Sequence, residues 1–209
     1  MTIYDQIEQG SDEWKELRKG KPTASSFSKI ITAAKGELSK SVDGYINKLI
    51  AECFCPEWED WQGNFFTERG KAYEDEAREA FRQFSGHDVR KVGFCLSNDG
   101  VSGCSPDSLI YCDGNPVAGL EIKCPAPETH VGYIRAGVLP DDYKQQVHGS
   151  LAVTGLSEWH FWSYFPGTQP FHVVVRPDEY TAKLAAALEK FVELYKAEYS
   201  AALPKIIKN

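Results

Sequence analysis

Apolar positions recur at helical spacing in some stretches of the chain and at strand spacing in others, and the order of those stretches predicts the fold. Near the N-terminus Ser11 is placed to cap a short helix through Trp14, with Asp12 and Glu13 in its first turn. A second helix is expected from Thr23 at its N-cap, with Phe27, Ile30 and Ile31 as its apolar stripe. Residues 41–53 give a third, through Tyr45, Leu49 and Ile50. From Thr67 to Phe84 the residues Tyr73, Ala77, Ala80, Phe81 and Phe84 share one helical face, which Ser85-Gly86 ends. Strands are predicted next, at 89–96, 100–104, 107–112 and 117–124. Pro140-Asp141-Asp142 opens a helix with Tyr143, Val147 and Leu151 on one side, closed by Gly155. Strands at 157–165 and 170–176 precede a long helix from Asp178 through Leu184, Leu188, Val192 and Tyr195. A central sheet of about five or six strands between helices makes an α/β sandwich, one domain of 209 residues. Its parts are a helical N-terminal portion of about 9–66, a core of about 67–176 and a closing helix at about 178–201.

Chemistry concentrates where two of these strands meet. Asp113-Gly114-Asn115-Pro116 is a strong turn signal, and reversal around Gly114 brings residue 107 opposite 121–123. Side chains alternate along a strand, so Glu121 and Lys123 project to one face while Ile122 points into the core. Asp107, Glu121 and Lys123 then converge. Two carboxylates suit a hard divalent cation such as Mg²⁺, and a lysine beside them can orient or deprotonate a water, which together fit hydrolysis of a phosphodiester. An Asp facing a Glu and a Lys is, for most such pairs, only a cross-strand ion pair on a wet sheet face. Here the acids sit among Val117, Ala118, Leu120 and Ile122, the pattern of a buried strand, and Pro106 and Pro125 bracket the unit.

Composition narrows the setting. No apolar run approaches the roughly 18 residues needed to span a bilayer, and Met1 to Gln6 lack the features of a signal peptide, so a cytoplasmic protein is expected. The six cysteines contain no C-x-x-C and no further cysteine follows Cys124, which favours reduced, mostly buried thiols over an iron–sulfur cluster. A net charge of −7 does not look like that of a nucleic-acid binder, although Lys15, Arg18, Lys19 and Lys21 cluster locally. His130, His148, His160 and His172 are spaced too irregularly for zinc, and no phosphate-binding glycine loop or serine elbow occurs.

Three further places carry candidate chemistry. Glu74 lies at the border of its helix's apolar stripe, with Gly70 a turn earlier leaving room for a close approach; it either looks toward the acid pair or is one more surface acid beside Asp75, Glu76 and Glu79. Arg18 and the helix start at Thr23-Ala24-Ser25 make a phosphate pocket or simply a cap and a cation. Gln146 hydrogen-bonds the attacking water or Lys123, or is solvated.

The order Asp12–Arg18, Thr23-Ala24-Ser25, Gly70-Lys71-Ala72-Tyr73-Glu74, Cys104-Ser105-Pro106-Asp107, Leu120-Glu121-Ile122-Lys123-Cys124-Pro125 and Tyr143–Val147 resembles the lambda-exonuclease family, the YqaJ-type viral recombinase nucleases of the PD-(D/E)xK superfamily. The similarity runs from about residue 9 to 200. It implies a restriction-endonuclease-like α/β core, a mixed central sheet flanked by helices. It also implies a phage or prophage enzyme that degrades the 5′ strand of duplex DNA from its ends, processively, with two Mg²⁺ ions (Mn²⁺ as an alternative). Mononucleotides are released and a 3′ strand is left for a single-strand annealing protein. Asp107, Glu121, the Ile122 carbonyl and Glu74 would hold metal, Lys123 would activate water and Gln146 would support the site. Arg18, Ser25 and Ser105 would bind the 5′-phosphate, and Trp14 would help part the strands. A homotrimeric ring threaded by DNA would account for processivity without a basic exterior. One departure stands out: a family arginine beyond the C-P dipeptide aligns near Thr129, leaving His130 or Arg135 to substitute, or a weaker 5′-phosphate preference. The rival readings are an endonuclease on the same core and a non-catalytic DNA-binding recombination module.

Overall fold

Two sheets organise the chain, and the hairpin predicted at Gly114 lies at the centre of the larger one. The computed structural model describes residues 1–54 and 65–207, apart from the side chains of 65–71. In chain order the elements are β1 (Thr2–Tyr4), α1 (Asp12–Arg18), a 3₁₀ turn (Ala24–Lys29), α2 (Val42–Phe54), α3 (Phe65–Ser85), β2 (Asp88–Arg90), β3 (Phe94–Leu96), β4 (Gly103–Cys104), β5 (Ser108–Cys112), β6 (Asn115–Lys123), α4 (Pro127–Ala136), α5 (Asp141–Thr154), β7 (Glu158–Ser163), β8 (Phe171–Val175) and α6 (Glu179–Ile206).

The larger sheet has the order β2-β5-β6-β7-β8. β5 and β6 form the antiparallel hairpin, with Cys112 opposite Asn115. Asp113 and Gly114 between them take φ of 50° and 79°. Two successive positive φ values define the tight turn whose twist matches the strands. β6 and β7 run parallel, so the chain must cross over, and α4 and α5 make that crossover. The sheet is therefore mixed. Its side chains alternate between two cores. Ala118, Leu120, Ile122 and Trp162 pack with Ala77 and Phe81 of α3, whereas Leu109, Trp159 and Phe161 pack with Val147 and Leu151 of α5 and with α6. Each fully buried aromatic contributes roughly 2–3 kcal/mol through the area it removes from water. Glu121 and Lys123 thus face α5, on the side of the sheet opposite α3.

Several expectations need correction. The stretch 89–96 is not one strand but two. β2 pairs with β5 in the larger sheet, whereas β3 joins β1 and β4 in a separate three-stranded sheet. The break falls beside Gly93, where an added Cβ would lie 2.1 Å from the Ile7 carbonyl oxygen. Only glycine permits that crossing of backbones. The strand expected at 100–104 shrinks to two residues, and β1, too short to show a period, makes the N-terminal portion less than wholly helical. The second predicted helix is a 3₁₀ turn, and Thr23 occupies its N-cap without a side-chain cap bond. α4 escaped prediction because its apolar residues Val131 and Ile134 face solvent and its buried residue is His130. The predicted cap at Ser11 is present, Asp178 caps α6, and no described helix is long and apolar enough to cross a membrane.

Candidate active site

Asp107 immediately precedes β5, and its backbone N–H continues the hairpin by donating to the Leu120 carbonyl at 3.1 Å. Its carboxylate accepts the Ile122 N–H at 2.5 Å, which fixes it against the end of β6. Glu121 is buried, 1% exposed. Its Oε1 accepts from the Lys123 ammonium and from Gln146 Nε2 at 2.7 Å. The other oxygen, Oε2, is buried and has no hydrogen-bond partner among the described residues. Gln146 therefore supports Glu121 rather than the lysine or a water, because α5 packs on the face that Glu121 uses. The Lys123 ammonium also lies 5.2 Å from the centre of the Tyr143 ring, a favourable seat for a cation.

Burial, reinforced by the charges of Glu121 and Glu74, pushes the Asp107 carboxyl up to about 8. Burial acts to lower the Lys123 ammonium, but the fields of Glu121 and Asp107 outweigh it and raise its pKa. Two acids crowded into one low-dielectric site, one with a bare buried oxygen, form a donor set short of positive charge. That is the chemistry a hard divalent ion satisfies, so the residues fit Mg²⁺. Among the described residues, no three acid, histidine or cysteine side chains are grouped to hold a metal ion by themselves; Mg²⁺ is ordinarily bound through one or two carboxylates, with water and substrate oxygens completing the shell.

A cavity of about 220 Å³ joins this group to the predicted phosphate pocket: Asp107, Glu121, Lys123 and Gln146 line it together with Trp14, Arg18, Ser25 and Ser105. Arg18 donates to Ser105 Oγ at 2.8 Å and to Thr23 Oγ1 at 3.3 Å, and its guanidinium lies 4.1 Å from the Trp14 ring centre. Thr23 thus serves Arg18 in place of capping its own turn. Trp14 Nε1 donates to Gly93 O and to Ser105 Oγ, both at 3.0 Å. Burial draws the Arg18 pKa down, yet a guanidinium stays charged in proteins. A half-buried cation on an aromatic face, with hydroxyls alongside, is suited to a phosphate. Lys15 and Lys19, by contrast, are paired with Asp12 at 3.1 Å and Glu16 at 2.7 Å on their own helix.

Two predicted site residues stand outside the cavity wall. Ile122 contributes through its backbone. Glu74 approaches from α3, on the other face of the sheet, paired with Arg78; any room provided by Gly70 falls on residues outside the described side chains. Neither proposed substitute for the missing arginine reaches the cavity. His130 is fully buried, with Nδ1 at 2.8 Å from Ser163 Oγ and Nε2 at 3.0 Å from Gln169 O, and Arg135 is exposed on α4. Nor are the thiols mostly buried: of the five described, Cys95 and Cys104 are buried, Cys53 and Cys112 are exposed, and Cys124 lies between, none of them in a disulfide. Cys55 lies outside the described residues. Sequence reasoning missed Gln9 and Ser150 in the wall. Gln9 Nε2 ties Val92 O to Pro106 O, at 2.9 Å each, a contact across some ninety residues that no local pattern signals.

Residues 13–157 match the model of the YqaJ-like viral recombinase domain. Among solved structures, an alkaline exonuclease from Laribacter hongkongensis, LHK-Exo, is 28% identical over 93% of this chain and 97% of its own, with a TM-score of 0.80. The same protein in complex with dAMP gives 27% identity, the same coverage and a TM-score of 0.80. A phage-related exonuclease from Haemophilus somnus 129PT shares the fold, at 15% identity over 88% of this chain and 98% of that one, with a TM-score of 0.61. No curated protein matches the chain.

Proposed function

The chain belongs to the family of YqaJ-like viral recombinase domains and is built like an alkaline exonuclease; from that premise we propose that it is a Mg²⁺-dependent exonuclease acting 5′ to 3′ on duplex DNA. It would release 5′-mononucleotides processively and leave a 3′ single strand for an annealing protein. One observation carries the reading. The acid–lysine group and the arginine–hydroxyl pocket open into the same cavity, so a terminal phosphate held at one end sets the adjoining phosphodiester against the other. The dAMP bound by LHK-Exo supports a mononucleotide product.

Asp107, Glu121 and the Ile122 carbonyl would hold Mg²⁺, or Mn²⁺ in its place, with Glu74 toward a second ion. When bound, the metal supplies charge neutralisation at the attacking and leaving oxygens of an in-line displacement. Lys123 holds its proton while Glu121 and Asp107 face it, and so orients a water by donation. Were a bound metal to neutralise those charges, burial would favour the neutral amine, a base for the water's proton, with only the Tyr143 ring still favouring the cation. Gln146 keeps Glu121 from rotating away. Arg18, Ser25 and Ser105 seat the 5′-phosphate, and the indole of Trp14 faces the DNA end as a wedge between strands. A homotrimeric ring around the duplex would keep a chain of net charge −7 on its substrate by topology.

End dependence tests this reading. With Mg²⁺, linear duplex should be consumed to mononucleotides while covalently closed circular duplex stays intact. Nicking of the circle would instead mark an endonuclease, and inertness on both a non-catalytic module.

A further inference from the structure

Arg78 does not line the cavity, yet it is one of the buried charged side chains among the described residues, 4% exposed. It sits four residues after Glu74, on the same face of α3. Its Nε donates to Ser108 Oγ at 2.8 Å. One terminal nitrogen bonds Asp75, and the other is shared between Glu74 and the Asp107 carbonyl at 3.3 Å. Ser108 Oγ donates to that same carbonyl at 2.6 Å. The guanidinium therefore connects the acid on one side of the sheet with the backbone that carries the acid on the other.

A buried cation is costly to strand, so these bonds fix the geometry firmly. The planar fork of arginine can serve three directions at once, which an ammonium cannot do with the same rigidity. We propose that Arg78 is the positioning residue of the metal site: it aims the Glu74 carboxylate at the ends of β5 and β6 and locks the Asp107 backbone, and so sets divalent-ion affinity without touching DNA. This assignment rests on the metal-dependent reading above. Groups that orient metal ligands change affinity or activity by about 10–100-fold when removed.

The test is Mn²⁺ titration of the DNA-free protein, followed by the loss of the free-ion electron paramagnetic resonance signal. Wild type should bind, and Arg78→Met should bind about 10–100-fold more weakly, with Arg78→Lys recovering thermal stability but not that affinity. Raising Mn²⁺ by the same factor should restore nuclease turnover in Arg78→Met with an unchanged KM for DNA ends, a rescue that a merely structural ion pair would not show. Should Arg78→Met fail to fold, Ser108→Ala keeps the arginine but frees its Nε anchor, and about 10-fold weaker binding is expected there. Equal or tighter Mn²⁺ binding in a folded variant, or turnover that added metal does not restore, overturns the assignment while the nuclease reading stands. A wild-type protein that binds no Mn²⁺ overturns both.

Discussion

Arg18 combines three contacts that few surface cations have: an aromatic face, a serine hydroxyl and a threonine hydroxyl. Each of them constrains the plane of the guanidinium, and a phosphate recognised by that plane gains two parallel bonds. Lysine keeps the charge but loses both the stack and the fork. Arg18→Lys should therefore raise KM for 5′-phosphorylated ends by about 10-fold, a loss of about 1.4 kcal/mol, and should narrow the rate difference between 5′-phosphate and 5′-hydroxyl ends. Initial rates on the two substrates measure this, and equal wild-type rates on both would dismiss the pocket. The same scale shows what sequence reveals of a site. Asp107, Glu121 and Lys123 were legible because strand alternation and one turn fix their relation. The partner of Gln146 was not, since it depends on which face of the sheet α5 covers, and Arg78 was hidden among the charges of an acidic helix.

At the scale of elements, β7 and β8 meet through two imidazoles: His160 Nδ1 lies 2.9 Å from His172 Nε2, with Phe81 of α3 edge-on to both rings. Burial, then the neighbouring His172 and also His87 and Arg176, lowers the His160 pKa from 6.5 to about 4, with Glu158 opposing. The folded protein thus refuses a proton that the unfolded chain accepts below its ordinary value. Stability should be level above about pH 6.5 and fall as pH drops toward about 4, by up to about 3 kcal/mol. Urea unfolding across that range measures the slope, which His160→Phe should flatten; an unchanged slope in that variant would contradict the pairing. The predicted helices over 41–53, 67–84 and 140–155 and the late strands match the structure to within a few residues, because each has a long apolar face. The missed elements lack one. β1 is three residues long, α4 turns its apolar side outward, and the break between β2 and β3 is set by a backbone contact at Gly93 with a residue far away in sequence.

The molecule as a whole gathers Asp107 and Glu121 at one end of a cavity and the Arg18–Trp14 pair at the other. On the proposed function its overall negative charge is no obstacle, since affinity for a DNA end would come from the cavity rather than from a basic exterior. In the proposed reaction, cleavage depends on Lys123 working beside Asp107 and Glu121 in that cavity. Its direct test is single-turnover release of 5′-mononucleotide from a 5′-phosphorylated linear duplex in Mg²⁺, run for wild type and Lys123→Ala, with duplex binding measured alongside. Wild type should release nucleotide only when the metal is present, and the variant should lose at least about 100-fold in rate while binding duplex as before. Full release by Lys123→Ala, or wild-type release that survives chelation of the metal, would contradict it.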